Sequence, residues 1–245
     1  MIECPICGAT QGVSILIKKI KGSRTAKYNP LYNCKECDSL FQRPNYHEDD
    51  NQLKVDLQWH LAKRENNGNH VENVLHQGVQ IAPDAKTLLD IGRGIGDYIL
   101  KSKEFGLSAQ GIEPNPYAVK YAKDNLSLNL ILAYFGADSF NTKFDVVIVD
   151  SVLEHVPMPR TFIQDVFAIL NRGGILYLAV PGRRGGIVRI VFSLIFPTSK
   201  LSLFADNDVH INHFSRKSIS MLIEPYSATL HHELHPGAYI IQAKA

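Results

Sequence analysis

The spacing of apolar residues changes along the chain, and each change predicts an element. Short apolar runs place strands near residues 86–91, 108–112, 128–132, 144–150 and 174–180, with later strands near 227–234 and 238–244. Phe162, Ile163, Val166, Phe167 and Leu170 instead recur at helical spacing before Gly173. Helices alternating with the first five strands predict an α/β unit with a parallel, doubly wound sheet, beginning near residue 83 and running to 245.

Upstream, Val71, Val74, Leu75 and Val79 follow helical spacing, and Asn69 with Glu72 resembles the capping box that opens a helix. With no proline between His47 and Ile81, residues 46–82 read as a helical linker of two helices. Residues 1–45 form a separate small unit closing near Pro44, in which 13–20 and 27–32 suit a hairpin. The stretch 186–205 is apolar around most of a helix and needs a cover: a lid over a hydrophobic substrate, a subunit contact or a helix on a membrane surface. Its core, 186–196, is broken by Arg189 and stopped by Pro197, well short of the ~18 apolar residues of a membrane span.

All four cysteines lie in the first unit, as Cys4-x2-Cys7 and Cys34-x2-Cys37 separated by 26 residues. Two such knuckles offer four thiolates to a tetrahedral Zn²⁺ and predict a zinc ribbon with metal ligands Cys4, Cys7, Cys34 and Cys37. A redox dithiol is the competing chemistry, but the two symmetric knuckles lie outside any βαβ unit. No secretory signal is visible in MIECPICGAT, so the expected compartment is the cytoplasm, where zinc is favoured over disulfides.

Composition narrows the partners. With 245 residues and 45% apolar content the chain supports a packed domain plus a small appendage. The formal charge of +2 falls to about zero once four thiolates and one Zn²⁺ are counted. Lys18, Lys19, Lys21, Arg24 and Lys27, or Arg183 and Arg184, are local basic groups for an acidic partner, but no overall excess favours nucleic acid.

The densest chemical signal is KTLLDIGRGIGDYILKSKEFGLSAQGIE, residues 86–113. A strand leads through Asp90 into Gly92, Gly94 and Gly96, a helix follows, and a second strand ends at Glu113. Glycines let a ligand lie against bare backbone where the helix begins. The spacing is D-x-G-x-G-x-G, with Asp97 where a dinucleotide loop has its third glycine, so a pyrophosphate is disfavoured. Carboxylates before the loop and after the next strand suit a ligand with an amine and a ribose diol, which S-adenosylmethionine has.

LLDIGRGIG (88–96) and GIEPNPYAVKYA (111–122) resemble the first two motifs of the class I S-adenosylmethionine-dependent methyltransferases. FDVVIVDSVLEHVPMP (144–159), LNRGGILYLAVPG (170–182) and HINHFS (210–215) resemble later blocks of that family, in the branch related to quinone-biosynthesis methyltransferases. The resemblance implies a seven-stranded Rossmann-like sheet and S-adenosylmethionine as cofactor. Gly92, Gly94 and Gly96 would line its methionine part, Asp90 its amino group and Glu113 the ribose hydroxyls. Asp138 would stand near the adenine, and Asp150 with Ser151 would border the path of the methyl group. Arg93 departs from the small residue usual at its position.

An acceptor that must lose a proton needs a base, and His155, beside Glu154 after the fourth strand, is the candidate catalytic residue. A plain hydrogen bond to the backbone is the alternative role for that pair. His210 and His213 read as pocket wall, and Trp59 with Tyr46 as groups that close over the cofactor or anchor the ribbon. Three functions follow. The leading one is methyl transfer to a small-molecule acceptor such as a sugar, lipid, isoprenoid or other metabolite. The second is an rRNA or tRNA methyltransferase reading RNA through the ribbon, disfavoured by the charge balance and by the lack of an N-P-P-[YF] tetrapeptide. The third is a non-catalytic interaction protein whose cofactor site is degenerate at Arg93.

Overall fold

The computed structural model of this chain describes residues 2–21, 28–43, 50–92, 94–181 and 210–244. Near the amino terminus, β1 (Val13–Lys21), β2 (Tyr28–Cys34) and β3 (Ser39–Phe41) form an antiparallel meander. The helix α1 (Asp50–Ile81) follows. Then β4 (Thr87–Ile91), α2 (Asp97–Ser102), β5 (Ser108–Glu113), α3 (Pro116–Leu126) and β6 (Ile131–Leu132) alternate. They are followed by β7 (Phe144–Asp150), α4 (Pro159–Ile169) and β8 (Leu170–Ala179). The chain returns with β9 (Asn212–His213), α5 (Arg216–Ile223), β10 (Thr229–His235) and β11 (Ala238–Gln242).

The large sheet has seven strands in the order β10-β11-β8-β7-β4-β5-β6. Strands β6, β5, β4, β7 and β8 are parallel, and the β10–β11 hairpin adds to β8 antiparallel. Successive side chains of a strand face opposite ways, and both faces here are covered. Leu88, Val146, Ile148 and Tyr177 pack with Val71, Val74 and Leu75 of α1 and Tyr98 of α2. Leu89, Val147, Val149 and Leu178 pack the other way, with Ile163 and Val166 of α4 and Ile219 and Leu222 of α5. Apolar side chains on both faces of β4, β7 and β8 are therefore buried.

Three local readings change. Where two helices were expected in the linker, one helix of 32 residues runs from Asp50 to Ile81. Asn69 and Glu72 sit in its interior, since extending an existing helix by a residue costs far less than nucleating another. Leu170, placed by periodicity on a helix, opens β8 instead and pairs with Phe144. The third parallel strand is only two residues long, at the sheet edge.

The ribbon is joined to the sheet domain by packing. Cys4, Ile6, Cys34, Cys37 and Phe41 belong to the same apolar cluster as β7, β8, α4 and α5. A fourth strand, β9, completes the ribbon's sheet in the order β1-β2-β3-β9, with Leu40 opposite His213 and Phe41 opposite Asn212. Among the described residues no helix is long and apolar enough to cross a membrane. Arg93, Tyr46, Arg24, Lys27, Arg183, Arg184 and the stretch 186–205 lie outside the described residues, as do the side chains of Lys18, Lys19 and Lys21.

Candidate active site and four-cysteine centre

From β4 the chain steps outward in one direction to β5 and β6 and in the other to β7 and β8. The crevice at the carboxyl ends of β4 and β7 is therefore the switch point at which open α/β sheets bind ligands. The glycine loop lies there. Gly92, Gly94 and Gly96 have φ of 68°, 69° and 84°, a region costly for residues with a Cβ. At Gly94 a Cβ would also stand only 2.6 Å from the His60 ring of α1.

Glu113 ties the loop to the next helix. Its Oε2 accepts a hydrogen bond from the Gly94 amide at 2.7 Å and its Oε1 one from the Asn115 amide at 2.8 Å. Asn115 in turn caps α3, accepting from the Tyr117 amide at 2.9 Å, while Pro116 supplies the first helical residue. Its Nδ2 donates to the Leu53 carbonyl of α1 at 2.8 Å. Asp90, Gly94, Gly96, Gly111, Glu113 and Leu130 line one recess, so the structure brings Asp90, two of the three glycines and Glu113 together. Gly92 stands behind it, its amide donating to the Ile112 carbonyl at 2.8 Å. Asp138 lies apart from that recess, in the turn Ala137–Ser139 after β6.

At the end of β7 the Asp150 carboxylate is buried and accepts hydrogen bonds from the Tyr98 hydroxyl at 2.9 Å and the Ser151 hydroxyl at 3.0 Å. His70 of α1 places Nε2 3.4 Å from the same carboxylate and 3.5 Å from the Tyr177 hydroxyl. Ser151 has φ of 61°, a left-handed conformation of the kind that gathers at functional sites. His60, His70 and Tyr98 were not singled out from sequence. Helical spacing of His60, Arg64, Val71 and Leu75 carried the signal for one face of one long helix, but only the fold shows what that face covers. Trp59, expected either over the cofactor or as an anchor for the ribbon, is half exposed, and its neighbour His60 makes the approach to the loop.

Beyond β7, Glu154 is fully buried in the turn Leu153–His155. Its Oε1 is 3.9 Å from Nε2 of His155 and 3.9 Å from Nε2 of His210, and the two imidazoles meet edge to face at 5.0 Å. His213 is buried in β9, whereas His231 is exposed on β10 and paired with Gln242 at 2.7 Å.

The four cysteine sulfurs lie within 4.8 Å of one another. Cys4 and Cys37 are 3.8 Å apart, and Cys7 and Cys34 3.6 Å. A tetrahedron with Zn–S bonds of about 2.3 Å has edges of about 3.8 Å, whereas a disulfide needs about 2.05 Å. The set therefore fits a metal and not a pair of disulfides. Gly8, at φ 78°, closes the first knuckle by donating to the Cys4 carbonyl at 2.9 Å, and the Ser39 hydroxyl lies 2.9 Å from the Cys37 sulfur. Without metal, the hydrogen bond from Cys37 holds the Cys4 thiol down to about 5; that same bond pushes Cys37 far above the ordinary thiol range, and burial raises Cys7 to about 11.

Comparison with known proteins bears on this geometry. A family model described as "Methyltransferase domain" matches residues 61–233. A ubiquinone biosynthesis O-methyltransferase of Schizosaccharomyces pombe is 31% identical over 106 residues, covering 40% of this chain and 39% of that protein. A tRNA 5-carboxymethoxyuridine methyltransferase of Escherichia coli is 32% identical over 108 residues, covering 40% and 41%. The chain thus spans about two fifths of the length of these relatives. A SAM-dependent methyltransferase from Methanosarcina mazei superposes with a TM-score of 0.53 at 22% identity, covering 70% of this chain and 97% of that one.

Proposed function

The chain belongs to the methyltransferase-domain family and carries the Rossmann-like fold of S-adenosylmethionine-dependent enzymes, and from that premise we propose that it transfers a methyl group from S-adenosylmethionine to a small-molecule acceptor. The observation that carries the reading is the link from Glu113 to the Gly94 amide, which sets the acid after the second strand against the glycine loop at the switch point. Glu113 would accept from the ribose hydroxyls, because carboxylate oxygens accept more than one hydrogen bond. Gly92, Gly94 and Gly96 would face the methionine part, Asp90 its ammonium group and Asp138 the adenine. Asp150 and Ser151 would border the methyl group.

S-Adenosylmethionine held by these residues would supply a methyl group activated by its sulfonium, with the neutral thioether as leaving group, so the transfer would need alignment more than further activation. The chain aligns the reactants and receives a proton. His155 would take it on its imidazole from an acceptor hydroxyl or amine, and the buried carboxylate of Glu154, 3.9 Å from its Nε2, would stabilise the imidazolium that results. Zn²⁺ on Cys4, Cys7, Cys34 and Cys37 would hold the ribbon together, as a closed four-thiolate centre does.

The small-molecule reading is supported by the ribbon's position, since its cysteine knuckles and Phe41 pack into the domain core. The similarity to a tRNA enzyme defines the opposing arm of the test. Zinc-loaded protein is incubated with methyl-labelled S-adenosylmethionine and a cell extract separated into metabolite and RNA fractions. Label in metabolites is expected; label confined to RNA would overturn the acceptor class.

A further inference from the structure

β9 belongs to two structures at once. It is the fourth strand of the ribbon's sheet, and the Ile211 carbonyl before it accepts from the Gln42 amide at 2.8 Å. Just after it, the Ser215 hydroxyl donates to the carbonyl of Cys37, one of the four clustered cysteines, at 2.8 Å. On the other side, Asn212 is buried and its Nδ2 donates to the Val156 carbonyl at 2.7 Å. Val156 directly follows the turn that carries Glu154 and His155. Two residues before Asn212, Nε2 of His210 lies 3.9 Å from the Glu154 oxygen that also stands 3.9 Å from Nε2 of His155.

We propose that the four-cysteine module builds one wall of the acceptor site. It captures β9, and β9 fixes His210 and the Leu153–His155 turn so that two imidazoles share one buried carboxylate. The inference rests on the reading of His155 as the group that meets the acceptor. A carboxylate with no exposed surface needs a fixed, charge-compatible neighbour, because burial without one is costly. His155 and His210 are both partly exposed, 35% and 23% at their side chains, so they lead from that carboxylate toward the surface. His210 and Asn212 are positioning residues in this arrangement: His210 holds its side of the carboxylate, and Asn212 pins the turn to the ribbon's sheet.

The position also explains why a cysteine module sits on a methyltransferase sheet without surplus positive charge. Its core residues are buried in the same cluster as β7 and α4, which bracket the turn. Clamping one carbonyl and one imidazole from a neighbouring sheet fixes a turn more firmly than a loop can alone, and a group must be aligned to within fractions of an ångström for proton transfer.

The test uses the full chain with ¹³C-labelled histidine, followed by NMR of the imidazole Cε1–H signals, beside calorimetry with S-adenosylmethionine. His210→Gln and Asn212→Ala are each expected to move the His155 signal, and removal of zinc by a chelator to move it in the same direction. Cofactor affinity of the two variants should stay within about twofold of wild type. A His155 signal unmoved in both folded variants would overturn the proposal. Should chelation unfold the whole chain, the two variants decide alone. Failure of the wild-type protein to bind S-adenosylmethionine would instead count against the methyltransferase reading, and the His155 signal would still report on the clamp.

Discussion

Glu113 serves both the loop and the helix after it: one oxygen holds the Gly94 amide, the other the Asn115 amide. Its position at a strand end before Pro-Asn-Pro was legible in sequence, because local spacing alone fixes it. Glu154 was legible only as a neighbour of His155. Its second imidazole, His210, is 56 residues away in the chain, and no local pattern announces such a meeting. The cysteines lie between these cases, since their spacing announces a metal and the fold brings the sulfurs to tetrahedral separations. Ligation requires thiolates, so if the centre takes Zn²⁺, Cys7 and Cys37, whose thiols are pushed upward, would each release a proton on binding at neutral pH, whereas Cys4, held near 5, would release little. Zinc affinity should accordingly fall as pH drops, through protonation of these thiols. Competition with a chromophoric chelator between about pH 8 and 6 checks this, and a pH-independent affinity would refute thiolate ligation.

The elements followed the apolar pattern wherever burial decides their form. β4, β5, β7 and β8 lie within a few residues of the apolar runs because both sides of the sheet are covered, which puts apolar residues at successive positions of their buried stretches. α1 was divided wrongly because Asn69 and Glu72 mimic a helix start, while the continuity of the helix depends on tertiary contacts: Leu53, His60, Arg64 and His70 each reach the sheet domain along its length. Gly68 lies inside that helix with open space where a Cβ would stand. Gly68→Ala should therefore stabilise the protein by up to about 1 kcal/mol, through the lower cost of ordering alanine in a helix. Thermal or denaturant unfolding reads the change. A loss of stability would mean that the backbone at Gly68 is not helical.

At the scale of the molecule, the sequence divided the chain into ribbon, linker and α/β sheet, and the structure joins what that division separates. The ribbon borrows β9 from beyond the large sheet's parallel strands, and α1 lays His60 on the glycine loop while bringing His70 to Asp150. Such joins depend on pairings between distant segments, and apolar periodicity records only that a face is covered, not by what. In the proposed function, the recess at the carboxyl ends of β4 and β5 holds S-adenosylmethionine with Glu113 on its ribose. The decisive measurement is calorimetric titration of the zinc-loaded protein, wild type beside Glu113→Ala. Micromolar binding by wild type is expected, weakened at least about tenfold, or about 1.4 kcal/mol, by the substitution. Wild-type protein that is folded and does not bind, or a folded Glu113→Ala that binds equally well, would contradict this assignment.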